Sequence, residues 1–278
     1  MIVLLTGATG FVGRQILDNL LKIGVEVRIV ARTGHDHKLA GQKQPIDVIF
    51  SEDIFSESET WWAKASINVD TIIHSAWYTE PGKYLTSEKN IDCLGGTLRM
   101  AKGAAKAGVR RIVGIGTCFE YDLSGGVLST ETPLLPKSLY AASKTATFQM
   151  LSCYLPEQGI EFAWCRLFYL YGDGEDERRL VPYIHSRLST GQPVELTNGM
   201  QIRDFMNVRD AGREIANVAL SSYQGAANIC SGIPITVRQL AESIAAEYGR
   251  IDLLCFGSRK ENIFDPKCVI GMKDDRIQ

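Results

Sequence analysis

Met1-Ile2-Val3-Leu4-Leu5-Thr6-Gly7-Ala8-Thr9-Gly10-Phe11-Val12-Gly13-Arg14 opens the chain and decides its fold. The apolar run from Ile2 to Leu5 reads as a short strand buried on both faces. Gly7, Gly10 and Gly13 follow, and an amphipathic run from Phe11 to Leu21 then takes over. Strand, glycine turn and helix start, in that order, make a phosphate cradle. Glycines let backbone N–H groups approach an anion, and the helix N-terminus adds partial positive charge. The triplet on its own is also readable as a plain glycine-rich turn between strand and helix.

The following residues bear on that choice. Gly24 ends the first helix, and Val25–Val30 alternates into a second strand. Ile46–Phe50 reads as a third strand, Asp53-Ile54 as the turn after it, and 57–67 as a short helix. Asp70–His74 is a fourth strand ending in Ser75-Ala76-Trp77. From Ser87 to Gly108, residues Ile91, Leu94, Leu98, Ala101 and Ala105 recur at helical steps, and Val109–Ile115 is a fifth strand. Five alternations predict an α/β fold with a doubly wound parallel sheet covered on both faces. That context favours the cradle.

Arg32 stands at the tip of the second strand, where a dinucleotide fold faces the adenosine ribose and an NAD site usually places a carboxylate. With Arg14 also near, a guanidinium able to pair bidentately with a 2′-phosphate points to NADP(H) over NAD(H). A solvated cation at a strand end is the plain alternative.

A chain of 278 residues suits one large α/β unit or two lobes with a long interface. The net charge of −2 offers no electrostatic reason for a nucleic-acid or anionic-membrane partner. No apolar run approaches the ~18 residues of a membrane span. Met1 leads straight into the first strand, leaving no room for a signal peptide. Cys93, Cys118, Cys153, Cys165, Cys230, Cys255 and Cys268 form no C-x-x-C pair, which suits reduced thiols in the cytoplasm. No metal site is expected: His35 and His37 flank Asp36 in a polar stretch that reads as a surface loop, and His74 and His185 stand alone.

Gly116-Thr117-Cys118-Phe119-Glu120-Tyr121 leaves the carboxyl end of the fifth strand, where open α/β sheets place ligands. Ser138-Leu-Tyr140-Ala-Ala-Ser-Lys144 then enters a helix running through Leu155 and puts Tyr140 and Lys144 one turn apart. An ammonium beside a phenol favours the phenolate and makes it a usable acid or base. Spacing alone equally allows an ordinary Tyr/Lys pair on a helix surface. Further on, 210–221 reads as a helix, Ala226–Cys230 as a strand, Thr236–Tyr248 as a helix and Ile251–Phe256 as a final strand.

Thr6-Gly-Ala-Thr-Gly-Phe-Val-Gly13, Thr117 and Tyr140-x-x-x-Lys144 together resemble the extended short-chain dehydrogenase/reductases, in the branch acting on nucleotide sugars as epimerases, dehydratases and reductases. The resemblance runs along nearly the whole chain, taking in Asn90, Arg166–Gly172 after a sixth strand, Arg203-Asp204-Phe205 and Val208-Arg-Asp210. It implies a Rossmann domain over 1–167, to which 208–225 returns, and a smaller α/β substrate lobe over 168–278. That lobe ends sooner than in relatives, which add a closing helix. Tyr140 would be the acid/base, Lys144 would hold the nicotinamide ribose and depress the Tyr140 pKa, and Thr117 would bind the reacting sugar oxygen. Gly7, Gly10, Phe11, Val12 and Gly13 would meet the pyrophosphate. Asp53 and Ile54 would border the adenine, and Ala76 and Asn90 would line the dinucleotide path. Arg203, with Arg259 second, would hold the sugar's diphosphate. The resemblance also implies a homodimer paired through the helices 87–107 and 138–155.

The family's 4,6-dehydratases carry Asp-Glu where this chain has Cys118-Phe119, so water elimination is not expected. Relatives making fucose-type sugars place a cysteine two residues before the position of Tyr121, whereas Cys118 lies three before, and that base is not carried over. Glu120 sits where its side chain can point away from the sugar. What remains is hydride transfer: reduction of a 4-keto-6-deoxy nucleotide sugar, favoured by Arg32, ahead of 4-epimerisation with bound NAD. A dinucleotide sensor without turnover is the reading from another class.

Overall fold

The computed structural model describes residues 1–34, 46–262, 265–274 and 276; the loop expected at His35–His37 lies outside them. The N-terminal alternation gives β1 (Ile2–Thr6), α1 (Phe11–Lys22), β2 (Glu26–Arg32), β3 (Asp47–Ser51), α2 (Glu59–Ala65), β4 (Thr71–His74), α3 (Lys89–Ala107) and β5 (Arg111–Thr117). Next come β6 (Val127–Leu128), α4 (Leu139–Glu157), β7 (Glu161–Leu167), β8 (Tyr169–Tyr171), α5 (Leu180–Ser189), β9 (Val194–Leu196) and β10 (Ile202–Asn207). The chain continues through α6 (Val208–Leu220), β11 (Gly225–Ile229), β12 (Pro234–Thr236), α7 (Val237–Glu247), β13 (Leu254–Phe256) and β14 (Cys268–Gly271).

Seven parallel strands form one sheet in the order β11-β7-β5-β4-β1-β2-β3. Strand order reverses beside β1, which opens a crevice at its carboxyl end, next to that of β4. Successive strand residues point to opposite faces, so a strand covered twice is mostly apolar. Val3 and Leu5 face Ile16, Leu17 and Leu20 of α1 and Ile215 of α6. Leu4 between them faces the other layer, with Trp62, Met100 and Leu151 from α2, α3 and α4. Burial of each such side chain contributes about 1.5–3 kcal/mol. Helix ends follow local chemistry: Ser138 caps α4 by accepting from the Ala141 N–H at 3.2 Å, and α3 stops at Gly108 with φ 78°.

A second sheet, β12-β10-β14-β6 with β8 also on β10, carries the remaining elements beside the strand ends. Asp204 is buried inside β10 and accepts from the Ser231 N–H and hydroxyl (2.7 Å each), the Gly232 N–H (2.9 Å) and the Gly271 N–H (3.1 Å). Helices α5 and α7 close around the pair β9/β13 through Ile184, Leu188, Leu240 and Ile244.

Three expectations change here. Ile251–Phe256 is not one strand: Ile251–Leu253 coils into a 3₁₀ turn, and only Leu254–Phe256 extends. It is not the last strand either, because β14 follows and pairs with both β10 and β6. Arg166 lies inside β7 rather than after it.

Candidate active site

The site begins where β1 and β4 end. Gly7 has φ 73°, and a Cβ there would stand 2.7 Å from the Ala76 nitrogen. A Cβ on Gly13 would stand 2.0 Å from the Gly7 carbonyl oxygen, so α1 can start this close to β1 only with glycine. The Gly10 N–H donates to Gly7 O at 2.9 Å, and Gly10 caps α1 without a side chain. The first intrahelical bond is Arg14 N–H to Gly10 O, at 3.1 Å. The first-turn N–H groups of Phe11 and Val12 are therefore directed at the crevice, an anion-binding arrangement that fits a dinucleotide pyrophosphate.

Thr6 and His74 build the floor. Thr97 donates its hydroxyl to Cys93 O at 2.7 Å and so accepts from His74 Nε2–H at 3.0 Å. His74 Nδ1 then accepts from the Thr6 hydroxyl at 2.9 Å, and Thr6 Oγ1 accepts from the Ala76 N–H at 3.2 Å. Burial, reinforced by the Lys144 charge, drives the His74 pKa down to about 3, so the ring is neutral. Asp53 is exposed and accepts from the Phe55 N–H at 3.0 Å, Ile54 is half-buried beside it, and Phe55 stands edge-on to His74 and Trp77. Arg32 is exposed at the end of β2, opposite Ser51 of β3. Arg14 does not join it, because its guanidinium lies against Gly174.

Thr117 ends β5, and Tyr140 and Lys144 face it from the first turns of α4. The Thr117 hydroxyl lies close enough to the Tyr140 phenol to oppose part of the rise in its pKa. Lys144 Nζ donates to Ile115 O at 2.6 Å and sits 3.7 Å from the centre of the Trp77 ring. The expected lowering of the Tyr140 pKa is not what this geometry produces. Burial pushes the phenol up, and the neighbouring Tyr84, Glu120 and Cys118 add to the rise. Burial also pulls Lys144 down to about 7, with Glu120 and then Cys93 opposing it.

Asn90 is held by partners of its own. It is fully buried, its Oδ1 accepts from Trp77 Nε1–H at 2.8 Å, and its Nδ2 donates to Tyr84 O (2.6 Å) and Ser87 O (2.8 Å). Its amide braces Trp77 and the segment Tyr84–Ser87.

Cys118 and Glu120 are buried, which leaves Phe119 as the partly exposed side chain of the turn after Thr117. Burial raises the Cys118 thiol to about 12, so it is no base. Glu120 points away from the cleft, into Trp164 and Arg166. Arg203 is 2% exposed, packs on the Tyr169 ring and pairs with Asp265 at 2.7 Å. Arg259 belongs to another part of the lobe: it is half-exposed over Tyr183, 4.0 Å from Glu195 of β9.

Trp77, Tyr84 and Tyr169 were not foreseen. Tyr84 meets Tyr140 edge-on at 4.9 Å, and Tyr169 bridges Phe119 and Arg203. The position of Trp77 directly after Ala76 was the available signal for it; nothing local marks Tyr84. Among the described residues, no group of His, Cys, Asp and Glu is arranged to hold a metal ion, and no helix is long and apolar enough to cross a membrane.

Residues 3–229 match the NAD dependent epimerase/dehydratase family. A dTDP-6-deoxy-L-talose 4-dehydrogenase (NAD(+)) of Aggregatibacter actinomycetemcomitans is 24% identical over 89% of this chain and 91% of its own. Among solved structures, the UDP-N-acetylglucosamine 4-epimerase from Methanobrevibacter ruminantium M1 superposes with a TM-score of 0.87 at 22% identity, over 99% of this chain and 90% of that one. DesIV, a dTDP-glucose 4,6-dehydratase from Streptomyces venezuelae with NAD and TYD bound, gives 0.80 at 23% identity, over 99% and 88%. At these identities the two structures share the fold.

Proposed function

The chain belongs to the NAD dependent epimerase/dehydratase family, and on that premise we propose that it reduces the 4-keto group of a 4-keto-6-deoxy nucleotide hexose. One observation carries the reading. Thr117 at the end of β5 stands beside Tyr140 and Lys144 of α4, while the two positions after Thr117 hold Cys118 and Phe119, neither able to act as acid or base. That is hydride-transfer equipment without elimination equipment. Bound NAD(P)H supplies the hydride for C4. Tyr140, kept as a neutral phenol by burial, gives its proton to the C4 oxygen as charge develops there, and Thr117 donates a hydrogen bond to the same oxygen. Lys144, near neutrality in pKa and one turn along α4, restores the Tyr140 proton. The dehydrogenase relative bears a name for the same position of a dTDP-6-deoxy sugar, which supports this choice.

Gly7, Gly10, Gly13 and the N–H groups of Phe11 and Val12 hold the pyrophosphate, with Ala76, Asp53 and Ile54 along the adenosine side. Arg32 selects NADP(H), with NAD(H) as the alternative, since the named relative uses NAD(+). Arg203 meets the sugar's diphosphate by exchanging its Asp265 partner, and Arg259 is the weaker second cation. Two copies pair through the outer faces of α3 and α4, and the seven unpaired cysteines suit the cytoplasm.

The test mixes purified protein with NADPH or NADH and a panel of 4-keto-6-deoxy nucleotide sugars. Stoichiometric loss of reduced-dinucleotide absorbance, abolished in Tyr140→Phe, supports the reductase. Sugar interconversion without added cofactor replaces it with the 4-epimerase. Dinucleotide binding with no turnover leaves a sensor.

A further inference from the structure

A charge pair lies beneath the site that neither proton transfer nor sugar binding uses. The side chains of Glu120 and Arg166 are 0% and 1% exposed, and Arg166 Nε donates to Glu120 Oε2 at 2.8 Å. Taking two charges out of water is costly, and an apolar pair of similar volume often serves stability as well. The partners of this pair suggest what it does. Glu120 Oε1 accepts from the Thr117 N–H at 2.8 Å and from Trp164 Nε1–H at 3.0 Å. The Thr117 side chain in turn caps the turn Cys118–Glu120, so residue and carboxylate hold each other reciprocally. Gly116 makes the room: a Cβ there would stand 2.2 Å from Trp164 Nε1 and 2.4 Å from Glu120 Oε1. On the far side, Arg166 Nη1 donates to the Tyr121 hydroxyl at 3.0 Å, and Tyr121 donates to Asn228 Oδ1 at 2.7 Å. Glu120 is thus fixed from β5, β7 and β11 at once.

We propose that Glu120, clamped by Arg166 and Trp164, is a positioning residue for hydride transfer: it fixes Thr117 through its backbone amide and sets the charge around the Tyr140–Lys144 pair from below. The inference rests on the function proposed above. Glu120 reaches both members of that pair, raising the pKa of Lys144 against its burial and raising that of Tyr140. The other groups facing Lys144 are Cys93 from α3, the neutral His74 from β4, the Trp77 and Trp164 rings and the Ile115 carbonyl. Of these, Glu120 is the strongest counterweight to burial.

Glu120→Gln keeps the shape and an acceptor for Thr117 while removing the charge. In the reaction identified above, kcat falls at least about tenfold with KM changed less than about threefold. The basic limb of the kcat–pH profile moves down by about one pH unit, because Lys144 loses its counterweight. Glu120→Asp, which retains the charge, returns that limb to its wild-type position. In the protein alone, the backbone of 115–121 exchanges hydrogen at least about tenfold faster in Glu120→Gln. Should the uncompensated Arg166 prevent folding, Glu120→Gln/Arg166→Gln removes both charges and is measured in the same way. A folded variant with wild-type kcat and pH profile overturns the inference, as does Glu120→Asp behaving like Glu120→Gln. Tyr140→Phe separates the two levels: if it retains turnover, the proposed function falls, and if it is dead while Glu120→Gln is unchanged, only this inference does.

Discussion

Gly13→Ala puts the phosphate cradle to a direct test. The added Cβ would lie 2.0 Å from Gly7 O, 2.6 Å from Gly7 C and 3.1 Å from Ala8 N. All three are backbone atoms, so no side chain can swing aside, and the turn must open by roughly 1.5 Å to restore ordinary contact at about 3.5 Å. Overpacking of this kind costs about 1–3 kcal/mol. At about 2–4 °C per kcal/mol for a chain of this size, Tm falls by roughly 2–12 °C. The same opening swings the Phe11 and Val12 N–H groups away from a pyrophosphate oxygen. A hydrogen bond to a charged group contributes about 1.5–3 kcal/mol, so losing one weakens dinucleotide binding about 10- to 150-fold. Calorimetry gives the first quantity, and fluorescence titration with NADPH and NADH the second. An alanine variant with wild-type Tm and a Kd within about twofold of wild type would refute the cradle.

Asn90→Ala leaves Trp77 Nε1–H and the Tyr84 carbonyl without their partner, while Ser87 O keeps the backbone N–H of residue 90, and at up to about 1–3 kcal/mol for each group left unpaired it lowers the denaturant midpoint. Its effect on dinucleotide affinity comes through a displaced Trp77 and is followed in the same titration. His74 titrates near 3 in the fold against about 6.5 unfolded, so as pH falls the unfolded chain takes the proton first. Its contribution is complete above about pH 6.5 and is lost downward at about 1.4 kcal/mol per pH unit; His74→Asn therefore shows a shallower fall of stability between about pH 6.5 and 4.5 in urea titrations. Arg203→Ala raises KM for the nucleotide sugar at least about tenfold and leaves the dinucleotide Kd unchanged, whereas Asp265→Ala, which frees the guanidinium, lowers that KM. Ile91 on α3 and Met150 on α4 are 55% and 51% exposed, and glutamate at both converts the proposed dimer to a monomer in light scattering.

The seven-stranded sheet was readable because strands buried on both faces are mostly apolar, as Ile2–Leu5 and the centre of Thr71–His74 are. The second sheet was not, because its strands carry charge. Arg203 and Asp204 sit inside β10, satisfied by Asp265 and by N–H groups of Ser231, Gly232 and Gly271, partners that a periodicity cannot reveal. β14 is four residues long and acquires its meaning from β6 and β10, far back in the chain. Spacing brought Tyr140 and Lys144 together, while the direction of the Tyr140 shift depended on burial and on Tyr84, Glu120 and Cys118, none of which spacing weighs. For Asn90 the residue type was legible and its partners were not.

The pairing of β14 with β10 and β6 also orders events during synthesis. Every strand of the seven-stranded sheet has left the ribosome once Ile229 emerges, so the dinucleotide side can assemble on the nascent chain. The sheet carrying Arg203 must wait for Cys268–Gly271, and Asp204 for its Gly271 partner. A nascent chain halted between those points holds the crevice at the end of β1 beside an unfinished second sheet, and capture of dinucleotide at that stage would stabilise it by mass action before that sheet exists.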